Sequence, residues 1–139
     1  MIRVLLDTNV VLDVLLKREP FVQEGIALWR ANEEGQFEGY VSAITPINVF
    51  YIARKIKGLD IAHEIIVELL ATFQVLTLDA IILQAALDLP LKDFEDAAQI
   101  ASANANQLDG IVTRDAKDYK DATIPIYSPA EFLSKLTTQ

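Results

Sequence analysis

Short apolar runs of strand length alternate along this chain with stretches whose apolar residues recur at helical spacing, and that alternation constrains the fold more than any other feature. Ile2 to Leu6 is the first such run; it stops at Asp7 and predicts a fully buried strand. Gly39–Ser42, Val75–Leu78, Gly110–Thr113 and Ile124–Tyr127 predict four more, the last at a sheet edge, where Pro125 is best tolerated. The first predicted helix is capped by Thr8 or Asn9, carries Val10, Val11, Val14 and Leu15, and ends near Lys17 and Arg18 before Pro20. A second runs from Phe21 to Glu33 with Gly35 as its stop, and a third opens at Thr45-Pro46 and ends in Arg54, Lys55 and Lys57 before Gly58. Asp60 is expected to cap a fourth, with Ile61, Ile65, Leu69 and Phe73 on one face. Asp79 starts a helix through Leu87, Asp93 one from Phe94 to about Asn106, and Pro129 to Leu136 closes the chain. Strands separated by helices pair in parallel, so the expected fold is a three-layer α/β/α sandwich around a mainly parallel five-stranded sheet. With no repeat or linker, residues 1–139 read as a single domain.

Apolar residues make up 52% of the sequence, with five Gly and five Pro, enough to build a core. The absence of cysteine excludes disulfides, thiolate metal sites and a cysteine nucleophile. Asp7 interrupts the N-terminal apolar run before it reaches the length of a signal-peptide core, and no stretch is long enough to span a bilayer. A soluble, cytoplasmic protein is expected. Twelve Lys and Arg against twenty Asp and Glu give a net charge of −8, which opposes a general nucleic-acid-coating role. It leaves room for a carboxylate site that is negative until a cation reverses the local field.

In open parallel sheets, ligands sit beyond the carboxyl ends of the strands. Asp7 ends the first predicted strand, Asp115 follows the fourth, and Asp96 lies in the first turn of the helix before that fourth strand. Strands placed side by side would gather the three carboxylates in one cleft. Oxygen donors without a neighbouring His or Cys suit a hard cation, Mg²⁺ or Mn²⁺, rather than zinc. Such a cation serves phosphodiester hydrolysis without a protein nucleophile. Each acid also has a purely structural role open to it. Asp7 could support a helix N-terminus, Asp93 and Asp96 could form a capping box, and Asp115 with Asp118 could flank Lys117 in a solvated turn.

Leu5-Leu-Asp-Thr-Asn-Val-Val-Leu-Asp13 resembles the opening signature of PIN-domain ribonucleases, the family that includes VapC-type toxins. Lys92-Asp-Phe-Glu-Asp-Ala-Ala-Gln-Ile-Ala-Ser-Ala103 resembles the family's acidic helix motif. Ile111-Val-Thr-Arg-Asp-Ala-Lys-Asp-Tyr119 resembles its third motif, and Ile126-Tyr-Ser-Pro-Ala-Glu-Phe-Leu133 its usual ending. The resemblance implies a PIN-like fold and a Mg²⁺- or Mn²⁺-dependent endoribonuclease acting on RNA as the toxin of a toxin–antitoxin pair. It further implies an antitoxin partner and a homodimer. Asp7, Asp96 and Asp115 would be the metal-binding catalytic acids, Asn9 would orient the first of them, Thr113 would line the site, and Asp118 would stand further out. The family commonly carries a Glu on the helix after its second strand, where this chain has Asn48. Glu95 is the candidate to make up the missing charge, although it points roughly 100° away from Asp96 around its helix.

Arg114, beside Asp115, is the cation best suited to touch a substrate phosphate. The Arg54, Lys55 and Lys57 cluster reads first as complementing a helix C-terminus, His63 as a surface residue, and Trp29, Phe37 and Phe50 as core. The alternative function is a degenerate PIN module that binds RNA or protein without cutting, which Asn48 motivates. An aspartyl-nucleophile phosphatase built on Asp7 would usually carry a second acid two residues on, where Asn9 stands.

Overall fold

The alternation of strand and helix folds into one all-parallel sheet with helices on both faces. The structure is a computed structural model and describes residues 1–119 and 122–138. In chain order the elements are β1 (Arg3–Leu6), α1 (Thr8–Leu15), α2 (Val22–Glu33), β2 (Glu38–Ser42), α3 (Ile44–Lys57) and α4 (Leu59–Thr72). They continue with β3 (Gln74–Leu76), α5 (Ala80–Leu87), α6 (Phe94–Ala105), β4 (Gly110–Val112), a 3₁₀ turn at Ala116–Tyr119, β5 (Ile126–Tyr127) and α7 (Pro129–Thr137). The strands lie in the order β3-β2-β1-β4-β5, so β1 is central and is flanked by β2 and β4.

The side-chain period of two along each strand sorts the core into layers. Val4, Leu6, Val41 and Val112 point to the face covered by residues of α1, α2, α3, α4 and α7, among them Val11, Leu28, Val49, Leu69 and Phe132. Leu5, Tyr40 and Ile111 point to the other face, against Ile100 of α6 and Tyr119. On that second face α6 presents Ala97, Ala98 and Ala101, small enough for α5 to pack closely through Ile82 and Ala86.

Several boundaries differ from the sequence reading, each for a local reason. The first helix stops at Leu15 because Lys17 turns into the left-handed region at φ 53°. Gly58, at φ 92°, ends α3 and occupies the N-cap of α4, so Asp60 sits in the first turn of α4 instead of capping it. The edge strand β5 is only two residues long, because Pro125 has no N–H and contributes just its carbonyl, which accepts from Ile111 N–H at 3.0 Å. The capping residues Asp79 and Asp93 stand where the sequence predicts them.

Gly39 lets β2 pass close under α2 and α4. A Cβ there would lie 2.8 Å from the Phe73 ring and 2.9 Å from Asn32 Oδ1, which accepts the Gly39 N–H at 2.8 Å. Adding a methyl to so tight a site typically costs about 1–3 kcal/mol, whereas removing glycine's chain entropy returns only about 0.5–1 kcal/mol. Gly39→Ala is therefore expected to lower the urea midpoint with little change in slope. A midpoint at or above the parent's would show that the contact relaxes freely.

Candidate active site

The register of the two central strands puts Asp7 and Thr113 next to each other. Leu6 pairs with Val112, and the ladder runs one step further when Asp7 N–H donates to Val112 O at 3.0 Å. The Asp7 side chain is only 6% exposed, yet it makes no cap bond to α1. Its Oδ2 accepts from the Thr113 hydroxyl at 2.8 Å and its Oδ1 from Gln99 Nε2 at 3.2 Å. Burial pushes this carboxyl above the usual range; the bonds from Thr113, Gln99 and the Thr8 backbone oppose the shift, and Asp115 adds to it. Oδ2 accepts from Thr113 and Oδ1 from Gln99, with the Thr8 N–H a further neutral donor to the same carboxylate.

Asp96 is placed by the N-terminus of α6. The Asp93 carboxylate caps that helix by accepting Asp96 N–H at 3.0 Å, but the reciprocal half of a capping box is not made. Asp96 Oδ1 instead accepts the Tyr119 hydroxyl at 3.0 Å. Burial raises the Asp96 carboxyl to about 6; the Tyr119 bond opposes this, while Asp93, Asp7 and Asp118 reinforce it. Asp115 follows β4, and its N–H donates to Thr113 Oγ1 at 3.1 Å. One hydroxyl therefore ties the Asp115 backbone to the Asp7 carboxylate. Asp118, in the 3₁₀ turn, is exposed.

A single cleft of ≈ 410 Å³ is lined by Asp7, Asp96, Asp115 and Asp118 together with Asn9, Asn48 and Glu95. Glu95 reaches it in spite of its angular offset from Asp96. Its Oε1 accepts from Asn48 Nδ2 at 3.1 Å and from Thr8 Oγ1 at 3.3 Å, and the Thr8 hydroxyl lies 2.8 Å from that of Thr45. Thr113 is fully buried and lies beneath the cleft rather than in its wall. Asn9 lines the wall, whereas the bonds holding Asp7 come from Thr113 and Gln99. Arg114 is engaged elsewhere. Its Nε donates to the buried Asp13 at 2.9 Å, and its guanidinium lies 4.1 Å from the centre of the Phe21 ring. A second groove of ≈ 450 Å³ is lined by apolar residues such as Val14, Trp29 and Ile65 together with charged ones such as Arg30, Glu33 and Lys57, and includes none of these acids.

The donor chemistry, carboxylate oxygens with two amides, fits a hard divalent cation. Among the described residues, however, no three His, Asp or Glu side chains converge tightly enough to make a ready cage. The sequence reading missed Gln99, Tyr119 and Asp13. The available signals were a long polar side chain one turn after Asp96 on an Ala-rich helix face, and an acid six residues after Asp7.

A short parallel sheet covered on both faces, with an acid-lined cleft at its carboxyl edge, defines an α/β/α sandwich of the PIN-like class. The family model for the PIN domain matches residues 3–117, and the chain belongs to that family. Among solved structures it resembles a DNA-bound VapBC complex from Salmonella typhimurium (17% identity, 93% of this chain and 99% of that one, TM-score 0.70). It also resembles a toxin–antitoxin complex from Klebsiella pneumoniae (24%, 91% and 97%, 0.68). A third is a sarcin–ricin-loop-cleaving VapC toxin from Mycobacterium tuberculosis (14%, 88% and 96%, 0.69). No curated protein matches the chain. No helix among the described residues is long and apolar enough to cross a membrane.

The raised Asp96 carboxyl has a consequence for stability. The folded state holds this proton more tightly than the unfolded chain, whose value is near 3.8, so stability falls as pH rises from about 4 to about 6 and stays reduced above that. Asp96→Asn removes the charge and keeps an oxygen for Tyr119 to donate to. In chelator, its melting temperature is expected to exceed the parent's at pH 7, with the gap closing near pH 4. A gap that ignores pH would mean that Asp96 is not held in a destabilising environment.

Proposed function

We propose that the chain is a metal-dependent endoribonuclease that hydrolyses RNA phosphodiester bonds and acts as the toxin of a toxin–antitoxin pair. The observation that carries this reading is the meeting of Asp7, Asp96 and Asp115, from three separate segments, in one cleft. In this reading those three carboxylates hold Mg²⁺ or Mn²⁺, with Asp118 and Glu95 further out and Asn9 and Asn48 as neutral oxygen donors. The chemistry that such a cation supplies when bound is polarisation of a phosphoryl oxygen and activation of water. The chain's own part is to hold the acids in place: Thr113 fixes Asp7 and the Asp115 backbone together, and the Asp93 cap sets the start of the helix that bears Asp96.

Membership of the PIN-domain family supports RNA as the substrate class, and the toxin–antitoxin neighbours support an antitoxin protein as partner. The same reading takes residues 1–139 as one domain, a cytoplasmic location and a homodimer. Ile81 and Leu87 on α5, 79% and 65% exposed, offer apolar surface for such an assembly. With Arg114 committed to Asp13, substrate phosphate contact through Arg114 requires that ion pair to open.

Asn48 favours a second reading, a PIN module that binds RNA or protein without cutting. The Asn48–Glu95 bond argues for activity instead, because the charge absent from α3 is present across the cleft on α6. Asp7→Asn separates the two. It is expected to reduce Mn²⁺-dependent RNA cleavage by more than the ~10–100-fold typical of a lost outer partner, with the melt and near-UV spectrum retained. No Mn²⁺-dependent cleavage by the parent would sink the enzymatic reading, and unchanged cleavage by the folded variant would make Asp7 only structural.

Asn48→Glu tests whether α3 contributes to the same site. The new carboxylate would face Glu95 and lose the donor that Asn48 supplies, so the metal-free protein should melt at a lower temperature. Added Mn²⁺ should then raise its melting temperature by more than it raises the parent's, since binding to the native state stabilises by mass action. An equal or smaller gain than the parent's would place position 48 outside the site.

A further inference from the structure

We propose that Gln99 and Tyr119 are positioning residues that lock the Asp7 and Asp96 carboxylates into one mutual orientation, so that a hard divalent cation meets them as a preset pair. The inference rests on the metal-dependent reading above and concerns residues for which that reading has no role.

The two acids are joined from beneath by a continuous hydrogen-bonded bridge. Gln99 Nε2 donates to Asp7 Oδ1 at 3.2 Å and to Tyr119 Oη at 2.9 Å, and the Tyr119 hydroxyl donates to Asp96 Oδ1 at 3.0 Å. The donor inventory permits one arrangement when both acids are ionised. Tyrosine has a single proton, which goes to Asp96, so its oxygen must accept from Gln99. The amide nitrogen therefore faces Tyr119, and its second N–H is left for Asp7. Turning the amide over would set a carbonyl oxygen against the Asp7 carboxylate.

Burial gives the bridge its rigidity and indicates what it is for. Gln99 is fully buried and Tyr119 is 1% exposed. Gln99 Oε1 is itself buried with no hydrogen-bond partner, as is Ser102 Oγ, in a stretch of α6 that is buried from Ala97 to Ala103 and is otherwise apolar. An apolar side chain in that place would avoid the unsatisfied carbonyl. The amide gains nothing for the core: one N–H donates to Asp7 and the other to the Tyr119 hydroxyl, which itself donates to Asp96. Two neighbouring carboxylates repel and would rotate apart; donors inserted between them offset the repulsion and hold each side chain in one rotamer. Each bond occupies one lone pair of Oδ1, so Asp96 Oδ2 and the remaining lone pairs of Asp7 stay available to the cleft. Partners of this kind orient ligands and commonly change metal affinity when removed.

The test is Mn²⁺ binding by calorimetry on the whole folded protein, for the parent and for Tyr119→Phe and Gln99→Met. Both variants keep the side-chain volume while deleting the bridge, and either suffices should the other fail to fold. Melts in chelator and steady-state cleavage of RNA accompany the titration. The expected result is a Kd for Mn²⁺ weakened by ~10–100-fold, a melting temperature in chelator below the parent's because the carboxylates lose their donors, and a lower kcat at unchanged KM for RNA. A parental Kd in a folded variant, with or without a lower melting temperature, overturns the positioning role and leaves the metal-dependent reading standing. A parent that binds no Mn²⁺ overturns that reading, and the bridge's purpose with it.

Discussion

The pairing of β1 with β4 governs the acid cleft. Because Leu6 lies opposite Val112, the next residue of each strand emerges at the same height on the carboxyl edge, and Asp7 N–H still bonds to Val112 O. A slip of one residue would send Asp7 to the wrong face and bury it among apolar side chains, since strand side chains alternate. The Thr113 hydroxyl converts this register into side-chain geometry, donating to Asp7 while accepting from the Asp115 backbone. The Asp13–Arg114 ion pair anchors the same loop from α1, with the guanidinium sandwiched against Phe21.

The electrostatics of the cleft work against the fold in the absence of a cation. Asp7 and Asp96 are both raised by burial and lie near further acids, so the ionised site lowers stability. Neutral donors offset this in part: Thr113, Gln99 and Tyr119 supply hydrogen bonds without adding charge. Glu95 is handled the same way, by the Asn48 amide and the Thr8 hydroxyl. A Glu at position 48 could not donate to Glu95. In the fold, the Asn48 amide is a hydrogen-bond donor to Glu95 across the cleft.

Strands and helices were legible because their signals are local. Apolar run length marked the five strands, and Asp79, Asp93 and Gly35 marked helix ends through capping and left-handed backbone. Where the backbone geometry of a single residue set a boundary, the sequence reading slipped. The left-handed turn at Lys17 shortened α1, and the missing N–H of Pro125 cut β5 to two residues. The family motifs pointed to Asp7, Asp96 and Asp115, and these three do line one cleft. They did not identify what holds the acids. Gln99 sits 92 residues from Asp7, Tyr119 sits 23 from Asp96, and no periodicity links such pairs.

By itself, then, the sequence determined the secondary structure, the parallel α/β architecture and the types of donor available, because propensity, capping and side-chain period act over a few residues. Only the tertiary structure decided how those donors are used. It turned Arg114 away from the cleft to Asp13, carried Glu95 across to Asn48, and ran a buried bridge from Asp7 through Gln99 and Tyr119 to Asp96. Each of these contacts joins residues distant in the chain, and a hydrogen bond forms only when sheet register and helix packing bring donor and acceptor to about 3 Å.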